Sequence, residues 1–268
     1  MEEGFLTQDE LSSPLLTPIS YTMASKYTGR EITEEHILQA ADLFSKHYGI
    51  WGPRHPRAGQ RVQTSPAMLK RNYLPDGAEH TLVQAHIGYV LVGHAIATRW
   101  STKKSAESQP SRVCWITQLC VRRGYRAQGV ATSILRKMAE ESDDMYGILS
   151  SHPAAIMAAL RAFANGPETD TDALLSMTWQ ATNIMTPSPI SYVKSAAPDP
   201  GSTVRSVDTN FDVDHGEHQA VLDELSRLGR TWWLGDLKRK HEYILIIPTL
   251  RQTPTNSSAP TSQGEGRG

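Results

Sequence analysis

Cysteine is almost missing from this chain: only Cys114 and Cys120 occur in 268 residues. They lie six apart in one predicted strand, so even spacing puts both side chains on the same face. An extended strand would hold them ~20 Å apart, too far for a disulfide, and such sparse use of cysteine fits a reducing compartment. Long apolar runs are missing too. None approaches the roughly 20 residues a membrane-spanning helix needs, so no membrane association is expected. The N-terminal stretch MEEGFLTQDELSSPLLTP is acidic and has neither the charged start nor the apolar core of a signal peptide. Cytoplasm, or cytoplasm and nucleus, is the expected compartment. There is no internal repeat and no long basic tract. The formal net charge is −1, which gives no general attraction to nucleic acid or to an anionic surface. A nucleoside-triphosphate loop needs Gly-Lys followed by Ser or Thr, and none follows Gly124. The dinucleotide fingerprint Gly-x-Gly-x-x-Gly is missing as well. Asp212-Val213-Asp214-His215-Gly216-Glu217-His218 looks superficially like a metal cluster, but its spacing matches no metal signature. A solvated helix start is the plainer reading, and no metal is expected.

What remains is a chain that is 39% hydrophobic and 21% charged, which suits one globular domain with added elements, or at most two. The expected organisation is a mobile segment over 1–20, a domain over 21–250 and a disordered Ser-, Thr-, Pro- and Gly-rich tail over 251–268. Ile32 to Tyr48 reads as a helix, with Thr33, Glu34 and Glu35 suited to its start and Ile37, Ala40, Ala41 and Phe44 on one face. Gly49 to Gly59 is a loop. Ser65 and Pro66 open a short helix to Tyr73 as N-cap and first helical residue. Thr81 to His86 and Tyr89 to Trp100 read as neighbouring strands, and Ser101 to Ser111 as a polar loop. Past Asn165 the spacing predicts a helix over Thr169 to Met185, irregular chain over Ser191 to Ser202 and a strand over Val204 to Val213. A helix over His215 to Leu228, N-capped by Asp214, and a strand over Glu242 to Ile247 follow. Mixed strands and helices in this order predict an α/β fold with a central, partly parallel sheet flanked by helices.

The densest information lies in CWITQLCVRRGYRAQGVATSILRKM, Cys114 to Met138. Trp115 to Val121 is apolar and β-prone, as a buried strand should be. Val130, Ile134, Leu135 and Met138 recur on one helical face. Between them stands a basic turn carrying Arg126-x-x-Gly129-x-Ala131, opening directly onto the helix. First-turn N–H groups have no partner inside a helix and carry the positive end of its dipole, so such a turn is suited to a pyrophosphate. Gly129 allows close approach, and Arg122, Arg123 and Arg126 add cationic charge. The bland alternative is an ordinary strand-to-helix turn with surface arginines.

QLCVRRGYRAQGVATSIL resembles the acyl-CoA segment of the GNAT superfamily of N-acyltransferases. Tyr146-Gly147-Ile148-Leu149-Ser150-Ser151 followed by a helix over Pro153 to Phe163 is similar to that family's fifth strand and next helix. The fullest similarity is to a group of fungal GNAT proteins with the run YGILSSHPAA and a downstream WWLGD-like segment. Strong resemblance covers about Thr81 to Phe163. It implies a GNAT-like fold whose fourth and fifth strands splay around a pantetheine arm. It also implies acetyl-CoA, or another acyl-CoA, as cofactor. Leu119, Cys120 and Val121 would contact the arm. Arg126, Ala127, Gln128, Gly129, Val130, Ala131 and Thr132 would surround the pyrophosphate. Activity would be transfer of an acyl group to the primary amine of a small molecule, by a monomer or homodimer. The alternatives are a protein or peptide N-acetyltransferase of the same fold, marked by an open acceptor groove, and an acyl-CoA-binding sensor without turnover.

The attacking amine must be neutral and held near 3 Å from the carbonyl. A backbone N–H near Cys120 or Val121 is the expected oxyanion donor. Many family members place a tyrosine on the helix after the fifth strand to protonate the thiolate. Here that helix, PAAIMAALRAF, has none, and the best register puts Ala159 there. Ser151 and His152, at the mouth of the gap, are the catalytic candidates, His152 because imidazole titrates near pH 6.5. The plain alternative is that His152 caps the helix at Pro153. Tyr48 and Trp51 stand where the family binds its acceptor, with surface packing as the rival reading. His94 reads as a core histidine, and Trp232-Trp233 as packing.

Overall fold

The computed structural model describes residues 23–103, 109–164 and 170–249. The expected mobile segment 1–20 and tail 251–268 lie outside these, as does the middle of the expected loop Ser101 to Ser111. Seven strands form one sheet: β1 (Met23–Thr28), β2 (Glu79–Ile87), β3 (Val90–Thr102), β4 (Ser111–Val121), β5 (Met145–Ser150), β6 (Ser206–Asp208) and β7 (His241–Pro248). Their order is β1-β2-β3-β4-β5-β7-β6. Only β4 and β5 pair in parallel, and every other neighbour is antiparallel. The fold is thus a mixed α/β architecture around a partly parallel sheet, as expected.

Local signals account for the first helices. Helix α1 (Glu34–His47) begins where the Thr33 hydroxyl accepts from the His36 N–H, and its Ile37, Ala40, Ala41, Leu43 and Phe44 are buried. Helix α2 (Pro66–Tyr73) has Ser65 as N-cap and Pro66 at its first position. Together they bury Leu82 and Ile96 on one face of the sheet. On the other face, α3 (Val130–Met138) and α4 (Pro153–Phe163) cover β2 to β5 through Val130, Ile134, Leu135, Met138, Ile156 and Phe163. Each such side chain contributes roughly 1.5–3 kcal/mol by leaving water.

Beyond α4 the chain departs from the expected pattern. The expected helix Thr169 to Met185 is two short helices, α5 (Thr171–Met177) and α6 (Ala181–Met185), joined by a 3₁₀ turn at Thr178–Gln180. A further helix, α7 (Ser191–Ser195), stands where irregular chain is expected. The expected strand Val204 to Val213 shrinks to β6, because only Ser206, Val207 and Asp208 find partners on β7. Helix α8 (Gly216–Arg227) follows, with Asp214 accepting from the Gly216 N–H at 2.8 Å.

The shared face of the two cysteines is also overturned. Ile96 opposes Gln118 and Ala97 opposes Ile116, so Thr117 is an extra residue in β4. A bulge of this kind breaks the two-residue alternation. Cys114 therefore packs in the core beneath α3 and α4, while the Cys120 thiol turns toward the Leu43 carbonyl of α1.

One close approach locks β5 to β4. A Cβ on Gly147 would stand 2.1 Å from Cε3 of the buried Trp115. Gly147→Ala must displace that indole and should cost about 1–3 kcal/mol, read as a lower urea midpoint at unchanged slope. An unchanged midpoint would show that the two strands can part without penalty.

Candidate active site

Strands β4 and β5 pair from Val113–Met145 to Ile116–Ile148 and then part. The bulge at Thr117 begins where the pairing stops, so Thr117 to Val121 keep β3 on one side and leave the β5 side open. Into this opening runs a cavity of about 560 Å³. Ile116 to Leu119 of β4, Ile148 to Ser150 of β5 and Ala155 of α4 form its inner end. Helices α1 and α2 and the loop between them supply Phe44, Tyr48, Trp51, Arg57, Arg71 and Tyr73; the later chain supplies Tyr192, Thr209, Phe211 and Glu242. Tyr48 and Trp51 thus face a cavity rather than merely packing at the surface.

Its aromatic walls are built as two groups. Tyr48 stacks on Phe44, with ring centroids 4.2 Å apart, and tilts against Phe211, which meets the edge of Trp51. Across from them Tyr73 and Tyr192 meet edge to face at 6.0 Å. The Tyr192 hydroxyl donates to the Thr117 carbonyl at 3.0 Å, which ties α7 to the bulge. Burial, with Glu242 nearby, holds the Tyr48 and Tyr192 hydroxyls well above the ordinary phenol range and pushes Tyr73 up to about 12. All three are protonated at neutral pH.

Among the described residues, Glu242 is the one carboxylate lining the cavity. It is 6% exposed, and burial pushes its carboxyl up to about 7, against the opposing pull of the Thr209 hydroxyl and the Ser151 N–H. A carboxyl of that kind can take a proton at neutral pH. The sequence reading missed it. The available signal was a lone acid placed directly before the apolar run Tyr243 to Ile247, where a charge has no ordinary place in a buried strand.

The expected catalytic pair is placed differently. His152 Nδ1 accepts from the Ala154 N–H at 3.2 Å, making His152 the N-cap of α4. Burial, with Arg126 nearby, brings its imidazole down to about 4, so it is neutral and its Nδ1 lone pair is spent. Neither His152 nor Ser151 lines the cavity. The Ser151 carbonyl is bonded to His218 Nδ1 at 2.7 Å. Glu242 does line the cavity, and the Ser151 backbone N–H donates to that carboxyl. His94 is a neutral core histidine, bonded to Gln118 at 2.7 Å and brought down to about 4 by burial.

The expected pyrophosphate turn lies at the C-terminal end of β4. Gly129, with φ +80°, is the N-cap of α3, and no side chain caps that helix. The N–H groups of Val130, Ala131 and Thr132 therefore depend on water or a ligand. Nothing stands within 4 Å of the missing Gly129 Cβ. Ala127 is left-handed at φ 59°, a strain of about 1–2 kcal/mol of the kind that gathers at functional turns. Gln128 donates to the Gly124 carbonyl at 3.1 Å. Arg126 is not the free cation expected: its guanidinium meets the Val121 and His47 carbonyls and Glu217. Arg123 also pairs with Glu217, at 2.8 Å. Helix α8 thus fastens the turn after β4, through Glu217, to the end of β5, through His218. This corrects the reading of 212–218 as a solvated helix start, since Asp212 and His218 are both buried and Asp212 is paired with Arg239. Leu119 lines the cavity, and burial pushes the Cys114 and Cys120 thiols up to about 12.

Residues 40–162 match the model of the acetyltransferase (GNAT) family. That segment, a little under half of the chain, is similar to a GNAT acetyltransferase domain. The match begins within α1, runs through the splayed strands and the turn at Gly129, and ends in α4. The chain beyond the matched segment supplies Tyr192, Thr209, Phe211 and Glu242 to the cavity. Among solved structures, the aminoglycoside acetyltransferase meta-AAC0020 from an uncultured soil metagenomic sample, in complex with sisomicin, is 12% identical. That match covers 55% of this chain and 91% of the other, with a TM-score of 0.38. The ribosomal-protein-S18-alanine N-acetyltransferase of Escherichia coli is 12% identical over 55% of this chain and 80% of its own, at 0.35. Arabidopsis thaliana NAA60 in complex with acetyl-CoA is 13% identical over 38% and 71%, at 0.30. At these scores the likenesses carry no argument about the acceptor. Comparison with curated proteins returns no match.

Proposed function

We propose that this GNAT domain transfers an acyl group, acetyl in the first instance, from acyl-CoA to the primary amine of a small molecule by direct attack. The observation that carries the reading is the buried carboxyl of Glu242 in a walled cavity that ends at the open edge of β4. Acyl-CoA supplies an acyl group activated as a thioester. The residues present suit it: an uncapped α3 N-terminus at Gly129 for phosphate, and unpaired β4 backbone from Thr117 to Val121 for an extended amide-bearing arm. The amine lone pair forms the C–N bond as the C–S bond breaks, and Glu242 takes the amine proton. Both cysteines are buried with raised thiols, so neither is suited to act as an acyl-carrying nucleophile. Ala159, at the register where relatives of this fold carry tyrosine, is in the core. The thiolate leaves without a full acid, since thiols ionise near pH 8.5, and the protonated Tyr73 hydroxyl lines the same cavity as a donor. The cavity walls contributed by α7 and the chain before β7 favour a small acceptor over a protein tail.

The cofactor half is tested by thermal unfolding with excess acetyl-CoA. Ligand at a hundred times its dissociation constant should stabilise the protein by about 2.7 kcal/mol. Gly129→Asp should abolish the rise by putting a negative charge against the phosphates, and Gly129→Asn, which tolerates the same φ, should retain most of it. No rise with acetyl-CoA or longer acyl-CoAs in a folded native protein would overturn the reading.

A further inference from the structure

Resting on the acyltransferase reading, we infer that the acceptor is a monoamine: one primary ammonium on a short arm from an aromatic body. Among the described residues the cavity lining has one carboxylate, Glu242, which is buried, and two cations at exposed positions, Arg57 and Arg71. A polycationic acceptor would bring further positive charges into an apolar space with no counterion and two like charges. Desolvating each such charge costs several kcal/mol. A single ammonium instead finds Glu242 as its counterion.

The surroundings of that carboxylate fit the same ligand. Tyr48, Tyr73 and Tyr192 line the same cavity as Glu242, and Tyr73 and Tyr192 meet edge to face at 6.0 Å. Aromatic faces attract cations by roughly 0.5–2 kcal/mol each when water is excluded. Farther out, Phe44, Phe211 and Trp51 offer apolar surface. His55 stacks on Trp51 at 4.0 Å, and Arg57 lies 4.7 Å from its ring centroid, so that indole already has two partners. Tyr48 and Phe211, which line the cavity, are the surface assigned to an acceptor ring. The volume of about 560 Å³ sits inside the usual range for small-ligand sites, roughly 300–1,000 Å³.

The test is thiol release from acetyl-CoA with four acceptors: 2-phenylethylamine, 2-cyclohexylethylamine, spermidine and a short peptide with a free N-terminus. Expected kcat/KM is highest for 2-phenylethylamine, several-fold above the cyclohexyl compound and at least a hundredfold above spermidine and the peptide. Phe211→Leu should lower the 2-phenylethylamine value several-fold more than the cyclohexyl value, a split that a merely packing role would not produce. Faster turnover of spermidine or the peptide would overturn the inference and leave the acyltransferase reading standing. Equal loss for both ethylamines in Phe211→Leu would overturn the aromatic part. Thermal stabilisation by acetyl-CoA without thiol release from any of the four would overturn it as well, and absence of that stabilisation would remove the acyltransferase reading beneath it.

Discussion

Glu242→Gln should lower kcat/KM by about 10²- to 10⁴-fold, the range for loss of a positioned general base, while leaving acetyl-CoA stabilisation intact. Gln keeps the size of the side chain and removes its ability to take a proton. The native enzyme should show an acid limb in kcat/KM near pH 7, because the carboxyl must be ionised to act and burial pushes it up to about 7. That limb should vanish in the variant. A loss smaller than tenfold, or an acid limb that survives the substitution, would move the base elsewhere.

The same group makes a claim about stability with an opposite sign to that of most carboxylates. Its folded value is raised above the ordinary 4.5, so the folded chain holds this proton more tightly than the unfolded chain does. The contribution is fully present below about pH 4.5 and is lost as pH rises through about 7. Those two values differ by enough to take away about 3 kcal/mol across that window. Glu242→Gln should therefore be nearly neutral to stability at pH 4 and stabilising at pH 8, while it abolishes turnover at pH 8. A residue kept at a cost to stability and needed for rate is the signature of a working site. Urea midpoints at the two pH values, beside the rate, give both halves of the comparison.

The parts of this molecule that were legible in sequence are those fixed by neighbours along the chain. Ser65-Pro66 could be read as a helix start because capping is decided within three residues, and the strand, turn and helix from Trp115 to Met138 followed from periodicity alone. Strand β1 was not legible: MASKYT is a half-exposed edge strand whose pairing with β2 leaves no alternating pattern. The faces of Cys114 and Cys120 depend on the bulge at Thr117, which is a property of the β3–β4 pair and not of β4. Glu242 was hidden for a related reason. Its partners, Tyr48, Tyr73, Thr209 and Tyr192, come from four separated stretches, and only the folded sheet brings them to one carboxyl. His152 shows the converse. Its chemistry suggested acid–base work, but its place directly before Pro153 committed Nδ1 to the helix.

The largest expected loss of stability lies away from the cavity, at Asp143. Arg99 and Asp143 are both fully buried and form a two-pronged pair, Nε to Oδ1 at 2.8 Å and Nη2 to Oδ2 at 3.0 Å. Arg99 also donates to Thr81 on β2 at 2.6 Å and to the Met138 carbonyl at the end of α3 at 2.9 Å. Asp143 accepts in addition from the Glu140 N–H at 3.0 Å. One ion pair therefore joins β2, β3, the C-terminus of α3 and the turn that leads into β5. Asp143→Ala leaves the guanidinium buried with Glu140 3.6 Å away as its nearest remaining acid, and should cost about 3–5 kcal/mol. Arg99→Met should cost less, because Asp143 keeps Arg112 3.5 Å away and the Glu140 N–H. Once one partner is gone, removing the other takes away a charge that has already lost its closest counterion. The double variant Arg99→Met, Asp143→Leu should thus lose much less than the sum of the single losses. Strict additivity in urea unfolding, or a single loss below 1 kcal/mol, would show that the pair is solvated and holds nothing together. Because β5 carries Ile148, Leu149 and Ser150 to the cavity, a loosened turn before it should also lower turnover in the single variants, with acid-limb position unchanged.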